Sequence, residues 1–137
     1  MKKYVVGFLF NNDMTKIVLI HKNRPEWQVG KLNGIGGKIE ENESSYNAMI
    51  REFKEETSLL INNWKSFCQL SDINKKHEII FYYALSDNIS DVKTITDEKV
   101  EIFNIDDLYK LSVIDNLKWI IPLCIDKNNI NCSVITK

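Results

Sequence analysis

A chain of 137 residues with 44% hydrophobic, 27% charged and 10% aromatic residues has the size and composition of one globular domain, which excludes a disordered segment. Eighteen Lys and Arg stand against 19 Asp and Glu, and a net charge of -1 argues against a basic nucleic-acid surface or a polybasic membrane patch. A small charged ligand, held locally, remains open to it.

Three cysteines at wide spacings, with two histidines and no CxxC pair, do not make a soft-metal site; they read as reduced, buried thiols of a cytoplasmic protein. The apolar run after Lys2 and Lys3 is too short for a secretion signal and lacks a small-residue cleavage site. No stretch approaches the ~20 apolar residues of a membrane span.

Residues 3–10 and 16–21 (KIVLIH) are β-rich runs around an Asn-Asn-Asp turn and predict a hairpin. Residues 22–37, KNRPEWQVGKLNGIGG, hold four of the five glycines and one proline. They predict a long loop with room for a short strand, and long loops in compact domains are commonly functional. From Ser44, helical spacing takes over: Tyr46, Met49, Ile50 and Phe53 draw one apolar stripe. Glu52, Glu55 and Glu56 fall on a second face, about 120° round from it.

Residues 64–72 and 77–85 read as strands joined by the turn INKK, and 99–105 as another strand after a polar loop at 86–98. Leu117, Ile120, Ile121 and Cys124 predict a C-terminal helix with Pro122 inside it. Strands, helix, strands, helix in one chain predict a single α+β domain over residues 1–137, built on a mixed sheet.

The three glutamates repel one another, weakening a helix by a few tenths of a kcal/mol per pair. Taken alone, REFKEE reads as a solvated face supported by the i,i+4 pair of Arg51 and Glu55. With a glycine-rich approach before it, the same face suits a hard dication such as Mg²⁺, which takes oxygen ligands and substrate phosphates.

Spacing decides between the two. Gly37, five residues, Glu43, seven residues, then Arg51-Glu52-Phe53-Lys54-Glu55-Glu56-Thr57-Ser58-Leu59 resembles the Nudix box, Gly-x5-Glu-x7-Arg-Glu-apolar-x-Glu-Glu-x-Gly-apolar. Six specified residues match, a coincidence on the order of 10⁻⁵ for a chain of this length. Ser58 departs from the pattern, standing where the family has Gly. That departure concerns the end of the helix, where glycine relieves a positive-φ or close-packing position; it costs about 1 kcal/mol and touches no carboxylate.

The resemblance implies a Nudix-type fold, a mixed β-sheet sandwiched between helices with the box as a loop–helix–loop, and hydrolysis of a nucleoside diphosphate-linked substrate. It implies Mg²⁺, with Mn²⁺ as the alternative, bound by Glu52, Glu55, Glu56, the Gly37 carbonyl and, from the loop before the last strand, Glu98. Glu98 reads equally well as a solvated loop acid. Glu43 contributes from further away. Glu52, Glu55 and Arg51 form the catalytic set: Glu52 is the first candidate base, Glu98 the second, and Arg51 orients the glutamates with Glu55 as its partner.

Outside the box, GKLNGIGGKIEENES and TDEKVEIFNIDDL are similar to the MutT-like branch, whose relatives hydrolyse oxidised purine nucleoside triphosphates. By that resemblance Asn33, Asp115 and Asn116 read the base edge, and Lys22 and Arg24 lie near the phosphates unless they are plain surface cations. The branch's base-stacking Trp is replaced by Val113 or Ile114; Trp27 or Trp119 could stack instead, although Trp119 reads more readily as core. The expected reaction releases a nucleoside monophosphate and pyrophosphate.

ADP-ribose and dinucleoside polyphosphates are the alternative substrates. Residues 61–80 lack the proline-containing signature of the ADP-ribose branch. A nucleotide-sensing domain without turnover would be expected to lose the glutamates. The expected partner is a small nucleotide, with no membrane or extended nucleic acid, in a monomer or homodimer.

Overall fold

Every residue from Ile17 to Ile20 is buried, so the second strand cannot belong to a sheet with one wet face. The computed structural model, which describes residues 1–126 and 131–137, shows what covers both faces. Its elements are β1 (Lys2–Phe10), β2 (Lys16–His21), β3 (Leu32–Asn33), β4 (Ile35–Lys38), α1 (Ser45–Thr57), β5 (Lys65–Asp72), β6 (His77–Leu85), β7 (Val100–Asn104), α2 (Leu117–Ile125) and β8 (Cys132–Thr136). The strands form one mixed sheet in the order β3-β2-β1-β6-β5-β8, with β4 also paired to β1 and β7 to β2. β1 runs parallel to β6, and β5 to β8.

Side chains alternate across the strands and divide the interior into two cores. Val5, Leu9, Val18 and Ile20 pack with Ala48, Met49 and Phe53 of α1. Phe8, Phe10, Ile17 and Leu19 pack with Leu117, Ile120 and Ile121 of α2. The fold is therefore the expected sandwich, a mixed sheet with a helix on each face.

The first hairpin closes as its turn residues predict, with the Asn11 carboxamide oxygen accepting from the N–H groups of Thr15 and Lys16 at 2.9 and 2.8 Å. Ser44 caps α1, its hydroxyl accepting from the Asn47 N–H at 3.1 Å. At the other end Ser58 adopts φ 67° and ψ 2° while its N–H donates to the Lys54 carbonyl. Only glycine takes that conformation without cost. Ser58→Gly is expected to stabilise the protein by about 1 kcal/mol in a denaturant titration, with activity unchanged.

Three expectations are corrected. Tyr46 is not part of the buried stripe: it is 40% exposed, its hydroxyl donating to the Asn62 carbonyl, and Ala48 takes its place against the sheet. Trp119 is 42% exposed rather than packed in the core, because α2 turns Ile120 and Ile121 inward instead. Of the thiols only Cys68 is buried; Cys124 and Cys132 are half-buried, all three are free, and the Cys132 thiol lies 3.4 Å from that of Cys68. No helix among the described residues is long and apolar enough to cross a membrane.

Candidate active site

Gly37 lies in β4 opposite Val5, and its lack of a side chain is what admits α1 at this point. A Cβ there would stand 2.5 Å from the Glu52 carboxylate. The first glutamate of the cluster is thus pressed against bare backbone, with its side chain only 13% exposed.

Burial pushes the Glu52 carboxyl up, against the opposing pull of Arg51, while Glu55 and Glu56 push in the same direction as burial. Glu56 is also raised by burial; the Thr96 hydroxyl donates to it at 3.2 Å, and the nearby Glu98 and Glu55 charges add to the rise. Glu55 is more open, its side chain 57% exposed.

Arg51 is the cation on this face, and its strongest contacts differ from the expected one. It forks onto Glu43 at 2.7 and 2.9 Å, donates to Glu52 at 2.8 Å and reaches the Lys38 carbonyl at 3.2 Å. The i,i+4 contact with Glu55 exists but is longer, at 3.3 Å. The guanidinium holds the Glu43 carboxyl below the usual range, and its own pKa is raised in return. Bidentate pairing of this kind fixes orientation as well as charge.

Glu98 comes from the far side of the site and is 4% exposed. One oxygen accepts from the Lys22 ammonium at 3.1 Å; the other accepts from the backbone N–H groups of Asn23 and Arg24 at 2.7 and 3.3 Å. Burial pushes its carboxyl up, but these donors outweigh burial and hold it below the usual range. Lys22 and Arg24 are therefore not free cations: Lys22 is held by Glu98, while Arg24 pairs with Asp97 and lies 3.8 Å from Glu98.

These donors are all hard oxygens, Glu43, Glu52 and Glu55 sharing the Arg51 guanidinium and Glu98 held by Lys22, and the set suits Mg²⁺ or Mn²⁺ rather than a soft metal. Among the described residues no three Asp, Glu, His or Cys side chains already stand in ligating geometry.

The other end of the site is assembled by β3. Its Leu32 N–H donates to the Ser112 carbonyl at 2.8 Å, and its carbonyl accepts from the Ile114 N–H at 3.0 Å. Asn33 is thereby joined to the segment leading into Asp115 and Asn116. Among the described residues the Asn116 side-chain oxygen, which is buried, has no hydrogen-bond partner, which suits a ligand donor. Asp115 is different: its side chain is 86% exposed and lies 3.9 Å from Lys118. Val113 and Ile114 are core residues, and Trp27 is exposed.

Asn33 also has a partner that sequence reasoning passed over. Its Nδ2 donates to Gln28 Oε1 at 3.1 Å. Nothing periodic marks Gln28 within its loop. The fork from Arg51 to Glu43 was better signalled, since both residues belong to the box. An apolar cavity of about 810 Å³ lies elsewhere, between α2 and residues 105–113, and no box residue lines it.

The comparisons with known proteins agree with this fold. The family model described as the NUDIX domain matches residues 1–122, and the chain belongs to that family. A MutT structure from work on Aliivibrio salmonicida and Vibrio cholerae is 22% identical, with a TM-score of 0.75 over 90% of this chain and 96% of that one. The mutator MutT protein of Bacillus halodurans is 19% identical, with a TM-score of 0.77 over 99% of this chain and 91% of that one. The NUDIX domain of Shewanella oneidensis NrtR, solved with ADP ribose, is 20% identical, with a TM-score of 0.70 over 89% of this chain and 84% of that one. Comparison with curated proteins gives no match. At these identities the solved structures speak for the fold alone.

Proposed function

We propose that the protein hydrolyses a phosphoric anhydride of a nucleoside diphosphate-linked substrate, preferably a purine nucleoside triphosphate, releasing the monophosphate and pyrophosphate. The observation that carries this reading is Glu52, held against Gly37 with Glu55 and Glu56 beside it, in a position where burial favours a proton or a cation. Gly37, Glu52, Glu55, Glu56 and Glu98 are the residues that would hold Mg²⁺. When bound, that ion would neutralise the anhydride oxygens and lower the pKa of the attacking water.

The chain's own part is to position and to move a proton. Arg51 donates to one oxygen of Glu52, leaving the other to accept the proton of the attacking water. Glu98, already receiving three donors, is the weaker base and serves to tie the 22–24 loop to the acidic face. Asn33 and Asn116 are the base-facing pair, Asn33 keeping one N–H and one lone pair for a purine edge. The oxidised-purine preference rests only on the resemblance to the MutT-like branch.

A second reading draws on the ADP-ribose held by the Shewanella NrtR domain: this protein could take ADP-ribose, as substrate or as signal. One panel separates these. Canonical and oxidised nucleoside triphosphates, ADP-ribose and dinucleoside polyphosphates are incubated with the protein in Mg²⁺, and products are identified by mass. Monophosphate and pyrophosphate from a purine triphosphate are expected, with turnover abolished by EDTA and restored by Mg²⁺. Cleavage of ADP-ribose alone would overturn the triphosphate preference, and binding without any turnover would establish a sensor.

A further inference from the structure

We propose that Gln28 is a positioning residue for base selection, holding the Asn33 carboxamide in one orientation. The inference rests on the reading of Asn33 as base-facing. Residues 23–30 are exposed with one exception, and that exception is Gln28. Asn23 and Arg24 bind the 97–98 segment from the surface, whereas Gln28 is drawn in against β3.

Its backbone is held on both sides, the N–H donating to the Pro25 carbonyl and the carbonyl accepting from Lys31, each at 2.9 Å. The loop neck is tied as well: the Lys22 N–H donates to the Lys31 carbonyl at 2.9 Å, and the Gly30 N–H to the Lys22 carbonyl at 3.0 Å. The side chain therefore starts from a fixed point. Its Oε1 accepts from Asn33 Nδ2 at 3.1 Å, while Asn33 Oδ1 accepts from the Gly34 N–H at 2.8 Å.

A carboxamide presents a donor at one end and an acceptor at the other, so turning it over inverts what a base meets. Turning Asn33 over would set its oxygen against Gln28 Oε1 and its NH₂ against the Gly34 N–H. The Gly34 N–H can only donate and so selects which way the carboxamide faces, while Gln28 Oε1, accepting from the N–H this leaves turned toward the loop, holds the Asn33 amide plane in place. Gly34 acts through backbone and is the same whatever residue stands at 28. Gln28 is the part that a substitution can change.

The test compares Gln28→Met, which keeps length but loses the acceptor, with Gln28→Glu, which keeps an acceptor for Asn33 Nδ2, and with Asn33→Ala. The readout is the ratio of kcat/KM for guanosine and adenosine triphosphates, which differ in donor and acceptor at the purine 6-position. Gln28→Met is expected to move the ratio about 5- to 10-fold toward unity, the size of one hydrogen bond. The change should fall on KM with kcat held, and Gln28→Glu should retain the parent ratio. A role in loop stability alone would lower thermal stability and leave the ratio where it was.

An unchanged ratio in Gln28→Met, where Asn33→Ala collapses it, overturns the role of Gln28 alone. Collapse in Gln28→Glu as well as in Gln28→Met also overturns it, since Gln28 would then touch the base directly. An unchanged ratio in Asn33→Ala overturns the base-facing reading itself. If neither triphosphate is turned over, the Asn33 side-chain amide proton resonances decide: they must move upfield in Gln28→Met, where the hydrogen bond is lost, and not upfield in Gln28→Glu, where it is kept; no movement in Gln28→Met, or upfield movement in both, overturns the proposal.

Discussion

Glu52→Gln is expected to lower turnover of the preferred nucleotide by about 10²–10⁴-fold, the range associated with a positioned general base. The substitution is nearly isosteric, so the close approach to Gly37 survives and thermal stability should change little. Loss of a charged metal ligand and loss of the base would both reduce kcat. They separate on titration with Mg²⁺: a lost ligand is partly recovered at high metal concentration, whereas a lost base is not. Glu55→Gln should also abolish metal-dependent hydrolysis with the fold intact. Full activity in either variant would remove that residue from the site.

Arg51→Met is expected to destabilise the protein by about 2–3 kcal/mol, lowering Tm by several degrees. The cost comes from the carboxylates it strands more than from the hydrogen bonds it removes. Glu43 and Glu52 have side chains only 16% and 13% exposed, and without the guanidinium each is a poorly hydrated charge with no counterion. Arg51→Lys restores a charge but cannot fork onto Glu43 while reaching Glu52 and the Lys38 carbonyl, so it should recover only part of the loss. Adding Glu43→Gln to Arg51→Met should recover stability by removing one stranded charge, and denaturant midpoints across the series measure it. Equal midpoints for the parent and Arg51→Met would show the network to be merely superficial.

Much of the site was written locally. The box places Gly37, Glu43, Arg51 and three glutamates by spacing alone, and a helix brings together what the spacing implies. The KIVLIH run was likewise readable as a strand, although its burial on both faces needs α1 and α2, which come from distant parts of the chain. What escaped is of two kinds. β8 (Cys132–Thr136) pairs with β5, more than sixty residues upstream, and the 22–37 run, expected to hold one short strand, holds two, β3 and β4, whose existence depends on partners supplied by the rest of the fold. The parallel pairing of β1 with β6 similarly has no local signature. The second kind concerns which way an amphipathic residue turns: Tyr46 and Trp119 sit at positions compatible with core, yet smaller neighbours fill the interior and leave the aromatic rings outside. Lys22 and Arg24 were visible as cations, but their acidic partners lie more than seventy residues downstream.

Asn33 and Gly37 are four residues apart on one nearly continuous extended run, β3 into β4. Such a run advances about 3.3 Å per residue, so some 13 Å of backbone separates them. Both of its ends are clamped, one to the 112–114 segment and the other to β1. On the proposed reading, this short length of chain is a caliper. It fixes the distance from the base to the bond that is cut, so substrates are sorted by reach before any hydrogen bond is counted, and a one-residue change between Asn33 and Gly37 would alter which phosphorus is presented without touching a single reactive group.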